Sequence, residues 1–353
     1  MRSGLRIAAV ETEVLADPSN PQLLVHVTAE DGRRGTGETW WGVYRPDLPA
    51  GAPVRPYQAV VDHLLGPLTV GARVETLADI ETWWHRMIHA TYQYGDDGLV
   101  RGALSGVDIA LWDLLARHVG VSVASLMGGV VHERIPVYAS LSWLGDLDAV
   151  RTDIDRAIAA GFRAVKLHEA DPDLIVAARA ATDPDVAVMV DISARYDTPD
   201  AVDLVRRLEP AGLTWIEEPV FPQRDHVALA EVAAAAATPL AAGENELSAA
   251  GLAALAATGA VATLQPEVAK IGGLTDARGL ATIAQDAGCA IAPHNFSMGP
   301  SWLASWHLAA HLTETTWLEV PWLPAGQTFP GPVPMPGVEA GTVAAPTGPG
   351  LSG

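Results

Sequence analysis

The chain has 353 residues, 49% apolar and 18% charged, which is enough for two domains and a large buried core. Forty-two acidic against 22 basic residues give a formal charge of −20. That field disfavours nucleic acid and anionic membranes, so an anionic substrate must be drawn in by local cations. A single cysteine, Cys289, excludes an internal disulfide and suits a reducing cytoplasm. MRSGLRIAAVETEVL carries no signal-peptide pattern, and the uncharged stretch 247–266 divides better into a helix and a buried strand than into a membrane span.

Residues 5–13 and 23–30, the turn signal Asp31-Gly32 and a third run at 35–40 predict an antiparallel meander. The Pro/Gly-dense segment 42–56 predicts a lid or specificity loop. Helices are expected at 57–66, 75–92 and 99–119; in the last, Leu104, Val107, Leu111 and Leu114 recur at helical spacing. These elements give residues 1–130 an α+β character. From residue 131 to 320 the rhythm becomes strand, helix, strand, with strands at 135–141, 164–168, 187–192, 214–217, 240–243, 262–266, 290–293 and 316–319. A doubly wound open sheet competes, but the even repeat, with polar residues at almost every strand end, favours a closed parallel α/β barrel. The Pro/Gly-rich segment 321–353 is expected to return to the N-terminal domain as extended chain.

Three barrel strands end in carboxylates: VMVDIS in Asp191, TWIEEP in Glu217 and LAAGEN in Glu244. In a parallel barrel such ends share one face, and three converging carboxylates repel unless a cation sits among them. An all-oxygen set favours Mg²⁺. The second barrel strand adds Lys166 and His168 on one wall by the period-two rule. Glu267, His294 and Glu319 follow at the sixth, seventh and eighth strand ends.

Taken with GTGE, the helix ALSGVDIALWDLLARHVG, SLMGG, VKLH, QPEVAKIGG, APHN, WLE and PTGPGLSG, this set resembles the mandelate racemase subgroup of the enolase superfamily almost end to end. The resemblance implies a (β/α)7β TIM-like barrel with an N-terminal α+β capping domain. It implies one Mg²⁺ on Asp191, Glu217 and Glu244, a substrate-carboxylate contact from Glu319, and His168 and His294 as bases serving opposite faces. Three departures stand out: His168 replaces the second lysine of Lys-x-Lys, Glu267 replaces the usual aspartate partner of the histidine, and Ser193 stands where many relatives have asparagine.

The expected chemistry is abstraction of the proton α to a carboxylate through an enediolate. Mg²⁺ and Lys166 would offset the developing charge, and a protonated Glu319 would donate to it. A lyase dehydrating a sugar acid to a 2-keto-3-deoxy acid is favoured, and a racemase or epimerase is the alternative. A metal-binding barrel without catalysis is a third reading. Trp41, Tyr44 and Arg45 are the specificity candidates, with the 15–22 loop beneath them, and Trp40 is read rather as domain packing. The resemblance further implies a homo-oligomer, a dimer or octamer, for which an exposed tryptophan-rich capping surface would be suited. His26, His63, His85, His89, His118, His132, His226, His307 and His311 receive no role.

Overall fold

A computed structural model of the chain describes residues 4–17, 20–42, 47–95, 97–331 and 333–352. β1 (Leu5–Leu15), β2 (Gln22–Ala29) and β3 (Arg34–Glu38) form the antiparallel meander. A short β4 (Arg73–Val74) pairs with the free edge of β1, so the order is β3-β2-β1-β4. Across this sheet lies the helix Leu99–Val119. Its approach is set by glycine: a Cβ on Gly37 would fall 2.0 Å from the Gly106 carbonyl oxygen, and one on Gly35 2.1 Å from that of Ala110. The helix is buried on nearly all sides, not only along its leucine stripe.

The helix Leu77–Thr91 begins with a reciprocal cap between Thr76 and Asp79. It turns Trp83 and Trp84 inward, so the expected tryptophan-rich outer surface is largely interior. The expected helix at 57–66 is instead Arg55–Val60, a π turn at Val61–Leu65 and Gly66–Thr69. Pro67 has no N–H to return to the carbonyl four residues back, which accounts for the widened turn.

The second region is an eight-stranded parallel barrel: β5 (Arg134–Leu141), β6 (Ala164–Leu167), β7 (Ala187–Asp191), β8 (Ile216–Glu217), β9 (Leu240–Ala242), β10 (Thr263–Leu264), β11 (Ala290–Ile291) and β12 (Leu318–Trp322). β12 pairs with β5. The other seam closes where Ile291 N donates to Glu314 O and Thr316 N donates to Ile291 O, both at 2.9 Å. The interior is filled by Tyr138, Ala164, Met189, Trp215, Ala241 and Ala292, with Tyr138 and Trp215 edge to face at 5.5 Å. Alternation of large rings with alanines lets the layer fill without voids.

The C-terminal segment divides its contacts. β13 (Thr342–Ala344) pairs antiparallel with the start of β5, so this part stays on the barrel instead of returning to the meander region. Beyond it, Leu351 N donates to Asp113 Oδ1 at 2.8 Å and Val123 N donates to Gly350 O at 3.0 Å, which does reach the helix Leu99–Val119 and its successor Val123–Met127. Among the described residues no helix is long and apolar enough to cross a membrane.

Two barrel loops are gripped from above. The loop after β10 is held by Asp108, which accepts from Thr275 N at 3.0 Å. It is also held by Trp112 Nε1 donating to Thr275 Oγ1 at 2.9 Å, Trp84 Nε1 to Gly272 O at 2.8 Å, and Gly272 N to Ser105 Oγ at 2.9 Å. A Cβ on Gly273, whose φ is 85°, would lie 2.3 Å from the Asp108 carboxylate. The loop after β11 is held by buried Glu38, which accepts from Ser297 Oγ at 3.0 Å, Ser301 N at 3.0 Å and Ser301 Oγ at 2.8 Å. The Ser301 N–H belongs to the otherwise unpaired first turn of the helix Pro300–His311.

Candidate active site

At the C-terminal ends of the barrel strands, Asp191 closes β7, Glu217 closes β8, and Glu244 stands two residues beyond β9. One oxygen from each lies within 4.8 Å of the others. Glu217 is held on both oxygens: Oε1 meets Lys166 Nζ at 2.7 Å, and Oε2 accepts from Gln265 Nε2 at 2.6 Å and Trp215 Nε1 at 3.1 Å. Burial pushes its carboxyl up to about 7 against the pull of Lys166, while Asp191, Glu319 and Glu244 repel it. Asp191 Oδ1 accepts from Ser193 N at 2.6 Å and Oδ2 from Ser193 Oγ at 3.2 Å, so the serine at the departing position still donates to this acid.

Lys166 is fully buried between Glu217 and Glu319, 2.9 Å from Glu319 Oε1, with its ammonium 5.6 Å from the Tyr138 ring. Burial opposes its charge, but the two carboxylates outweigh burial and raise its pKa well above the ordinary lysine value. Glu319 Oε2 also accepts from Asn295 N at 2.9 Å. Burial alone would raise the Glu319 carboxyl; Lys166 and His294 reverse this and hold it below the usual range.

Two imidazoles flank the three acids. His168, one residue past β6, places Nε2 3.2 Å from Asp191 Oδ2 and Nδ1 against the Leu141 carbonyl. His294, after β11, places Nε2 2.8 Å from Glu244 Oε2 and Nδ1 2.9 Å from Glu267 Oε2. The longer glutamate thus reaches its histidine, with its other oxygen accepting from Ala269 N at 2.9 Å. In both rings Nδ1 faces an acceptor and Nε2 faces a carboxylate, an arrangement that anchors the ring through Nδ1 and favours the imidazolium. Burial disfavours protonating either ring, yet the adjacent carboxylates prevail and both pKa values rise, that of His294 most strongly.

Around these groups the buried carboxyls outnumber the cations. That excess, with three oxygens at close quarters, fits a divalent ion, and Asp191, Glu217 and Glu244 are the residues that can hold it.

Three neighbours escaped the sequence reading. Glu218 (φ 40°) is buried and accepts from Asn245 Nδ2 at 2.6 Å; Asn245 Nδ2 also lies 2.9 Å from Glu244 Oε1. Lys270 Nζ donates to Asn245 Oδ1 at 3.2 Å and sits 3.9 Å above the Trp40 ring. Lys270 was findable as the one cation in an otherwise apolar loop, three residues past Glu267. Beside them opens a cavity of about 310 Å³, which Trp40 lines. Trp41 instead packs on Phe296, ring centroids 5.9 Å apart, and borders a separate small gap, so the cavity wall belongs to the neighbouring indole. Tyr44 and Arg45 lie outside the described residues.

Residues 7–128 match the model of the mandelate racemase/muconate lactonizing enzyme N-terminal domain, and residues 149–352 that of the enolase C-terminal domain-like family. The chain is 33% identical over 300 residues to a D-galactarolactone cycloisomerase of Agrobacterium fabrum, covering 82% of this chain and 75% of the relative. It is 32% identical over 284 residues to a D-galactonate dehydratase of Verminephrobacter eiseniae, covering 74% and 70%. A crystal structure of a racemase from Streptomyces coelicolor A3(2) with bound magnesium superposes with a TM-score of 0.84 at 27% identity, covering 98% of this chain and 96% of the other. The chain belongs to the mandelate racemase/muconate lactonizing enzyme family of the enolase superfamily, with its capping domain and TIM-like barrel.

Proposed function

We propose that the protein is a Mg²⁺-dependent lyase that dehydrates a sugar acid to its 2-keto-3-deoxy acid. The observation that carries this reading is the pair of imidazoles, His168 and His294, each anchored through Nδ1 and flanking one carboxylate triad. Asp191, Glu217 and Glu244 would hold Mg²⁺, which when bound supplies Lewis-acid stabilisation of the substrate carboxylate. Lys166 donates to the carboxylate oxygen that gains charge as the α-proton leaves, a preorganised contact costing no reorganisation. Glu319 lies beside it; the arriving substrate anion adds like charge, which favours the protonated, donating form of Glu319. One imidazole takes the α-proton at Nε2, and the other, as imidazolium, delivers a proton to the departing β-hydroxyl. Glu267 holds His294 through Nδ1 in both protonation states.

The relatives named above as dehydratase and cycloisomerase support acid-sugar chemistry. Two bases on opposite flanks also support the second reading, racemisation or epimerisation of a 2-hydroxy acid, which needs a proton donor on each face. Assembly as a homo-oligomer, dimer or octamer, belongs to the same proposal and is checked by light scattering. The test of function incubates the protein and Mg²⁺ with mono- and diacid sugars in D₂O. Keto-deoxy product from one stereochemical series is expected. Deuterium exchange at the α-carbon without that product would move the reaction to racemisation, and neither signal with Mg²⁺ bound would overturn both readings.

A further inference from the structure

Lys270 and the cavity beside it have no part in the proton transfers. The ammonium is almost fully buried, its side chain 7% exposed. Among the described residues its hydrogen-bond acceptor is Asn245 Oδ1 at 3.2 Å; Glu244 Oε1 is farther, at 3.9 Å. An ammonium has three N–H donors. One is taken by Asn245 and one side is covered by the Trp40 face, which leaves donor capacity toward the cavity that Lys270 lines. Asn245 is committed on both ends, since its Nδ2 donates to Glu218 and Glu244 while its Oδ1 receives Lys270. The lysine head is thereby fixed in place.

The rest of the wall is a mixture of donors and acceptors. Ser193, Gln223, Tyr57 and Glu218 border the same space, and so does Glu244, which ties the cavity to the carboxylate triad. Burial raises the Tyr57 hydroxyl to about 12, so it stays a neutral donor and acceptor at physiological pH. Two buried carboxyls, Glu218 and Glu244, border this space beside the one ammonium. A second substrate carboxylate would find no surplus cation, whereas a row of hydroxyls would find partners of both kinds.

We propose that Lys270 is a specificity-determining residue that donates to a hydroxyl in the uncharged polyol tail of a monocarboxylic sugar acid, and that this cavity selects aldonates over the corresponding diacids. The proposal rests on the sugar-acid reading above. It is tested by binding, so it can be separated from turnover. The Mg²⁺-loaded protein is titrated calorimetrically with glycerate, with four- to six-carbon aldonates and with six-carbon aldarates. At least one six-carbon aldonate binds about 10- to 100-fold more tightly than glycerate and than the matching aldarate, the range for a hydrogen bond to a charged donor.

Lys270→Met removes that advantage; the readout is the ratio of aldonate to glycerate affinity at saturating Mg²⁺, in which any change that the variant passes to Glu244 cancels. Gln223→Leu, at a half-exposed position that tolerates change, reduces it by about 2- to 10-fold, as for a neutral hydrogen bond. Equal binding of glycerate and aldonates, preference for a diacid, or an unchanged aldonate advantage in Lys270→Met overturns the tail site and leaves the proton chemistry standing. Binding of no sugar acid of any length overturns both.

Discussion

The two halves of the active-site rim are held by different means. Asp191, Glu217 and Glu244 are fixed from within the barrel, by Lys166, Trp215, Gln265, Ser193 and Asn245 on the same and neighbouring strand ends. Glu267, Lys270 and His294 sit on loops whose far ends are clamped by the N-terminal domain through Asp108, Trp112, Trp84 and Glu38. Asp191 and Glu217 thus take their hold from the barrel, and Glu244 also meets His294 Nε2 at 2.8 Å, whereas the positions of His294 and Lys270 depend on how the two domains meet. The domain that carries Asp108 and Glu38 therefore also helps to set the positions of His294 and Lys270, while His168 is held within the barrel.

The comparison breaks most sharply at the triad. Glu217→Gln lowers Mg²⁺ affinity by more than the roughly 10–100-fold that loss of an outer partner costs, and abolishes turnover with it; calorimetric titration with Mg²⁺ reads the first and a keto-acid assay the second. An unchanged affinity would remove the triad from metal binding. Next comes His294→Asn, expected to cost roughly 10²–10⁴ in turnover while Mg²⁺ affinity stays at the wild-type level. If both fall together, the two halves are not separable.

Asp108→Ala probes the clamp without touching the site. It is expected to cost about 1–3 kcal/mol of stability, because Thr275 N and the hydroxyl of Thr275 lose a buried acceptor. Turnover should drop about tenfold with Mg²⁺ affinity unaltered, seen by denaturant titration beside kinetics.

The smallest effect is a pH dependence at another domain joint. His307 in the helix Pro300–His311 accepts from Ala124 N at 3.2 Å, and burial lowers its pKa to about 4. The folded form resists the proton that the unfolded chain accepts near 6.5, so stability is intact above that pH and drains as pH falls toward 4. The loss at pH 5 is about 2 kcal/mol by the 1.36 kcal/mol per unit conversion. Thermal melts from pH 8 to 5 should show it, and His307→Gln should flatten it; a wild-type curve as flat as the variant's removes this joint from the account.

The strand-end acids were legible because a parallel barrel turns period-two alternation into a single open face, so Asp191, Glu217 and Glu244 followed from spacing. Glu218 was not, because its left-handed backbone at φ 40° breaks the alternation that would send it to the far side of the sheet. Asn245 and Lys270 lie in turns past the strands, where no periodicity assigns direction. The helix at 99–119 was found with its ends, but the leucine stripe reported one face only. Its other faces are buried by glycines of β3 and by the loop after β10, contacts made across long separations that leave no local pattern. The sequence reading runs one helix through 57–66 and does not anticipate the π turn at Val61–Leu65.

The fastening of Leu351 to Asp113 has a consequence for how the molecule is made. The two partners are 238 residues apart. At ribosomal speeds of about 5–20 residues per second, the helix that carries Asp113 emerges on the order of 10–50 s before its last strap exists. Throughout that interval the meander and its helix lack this contact. This contact therefore forms only after every barrel strand between its two partners has been made, and the domain that is synthesised first is fastened by residues synthesised long after it.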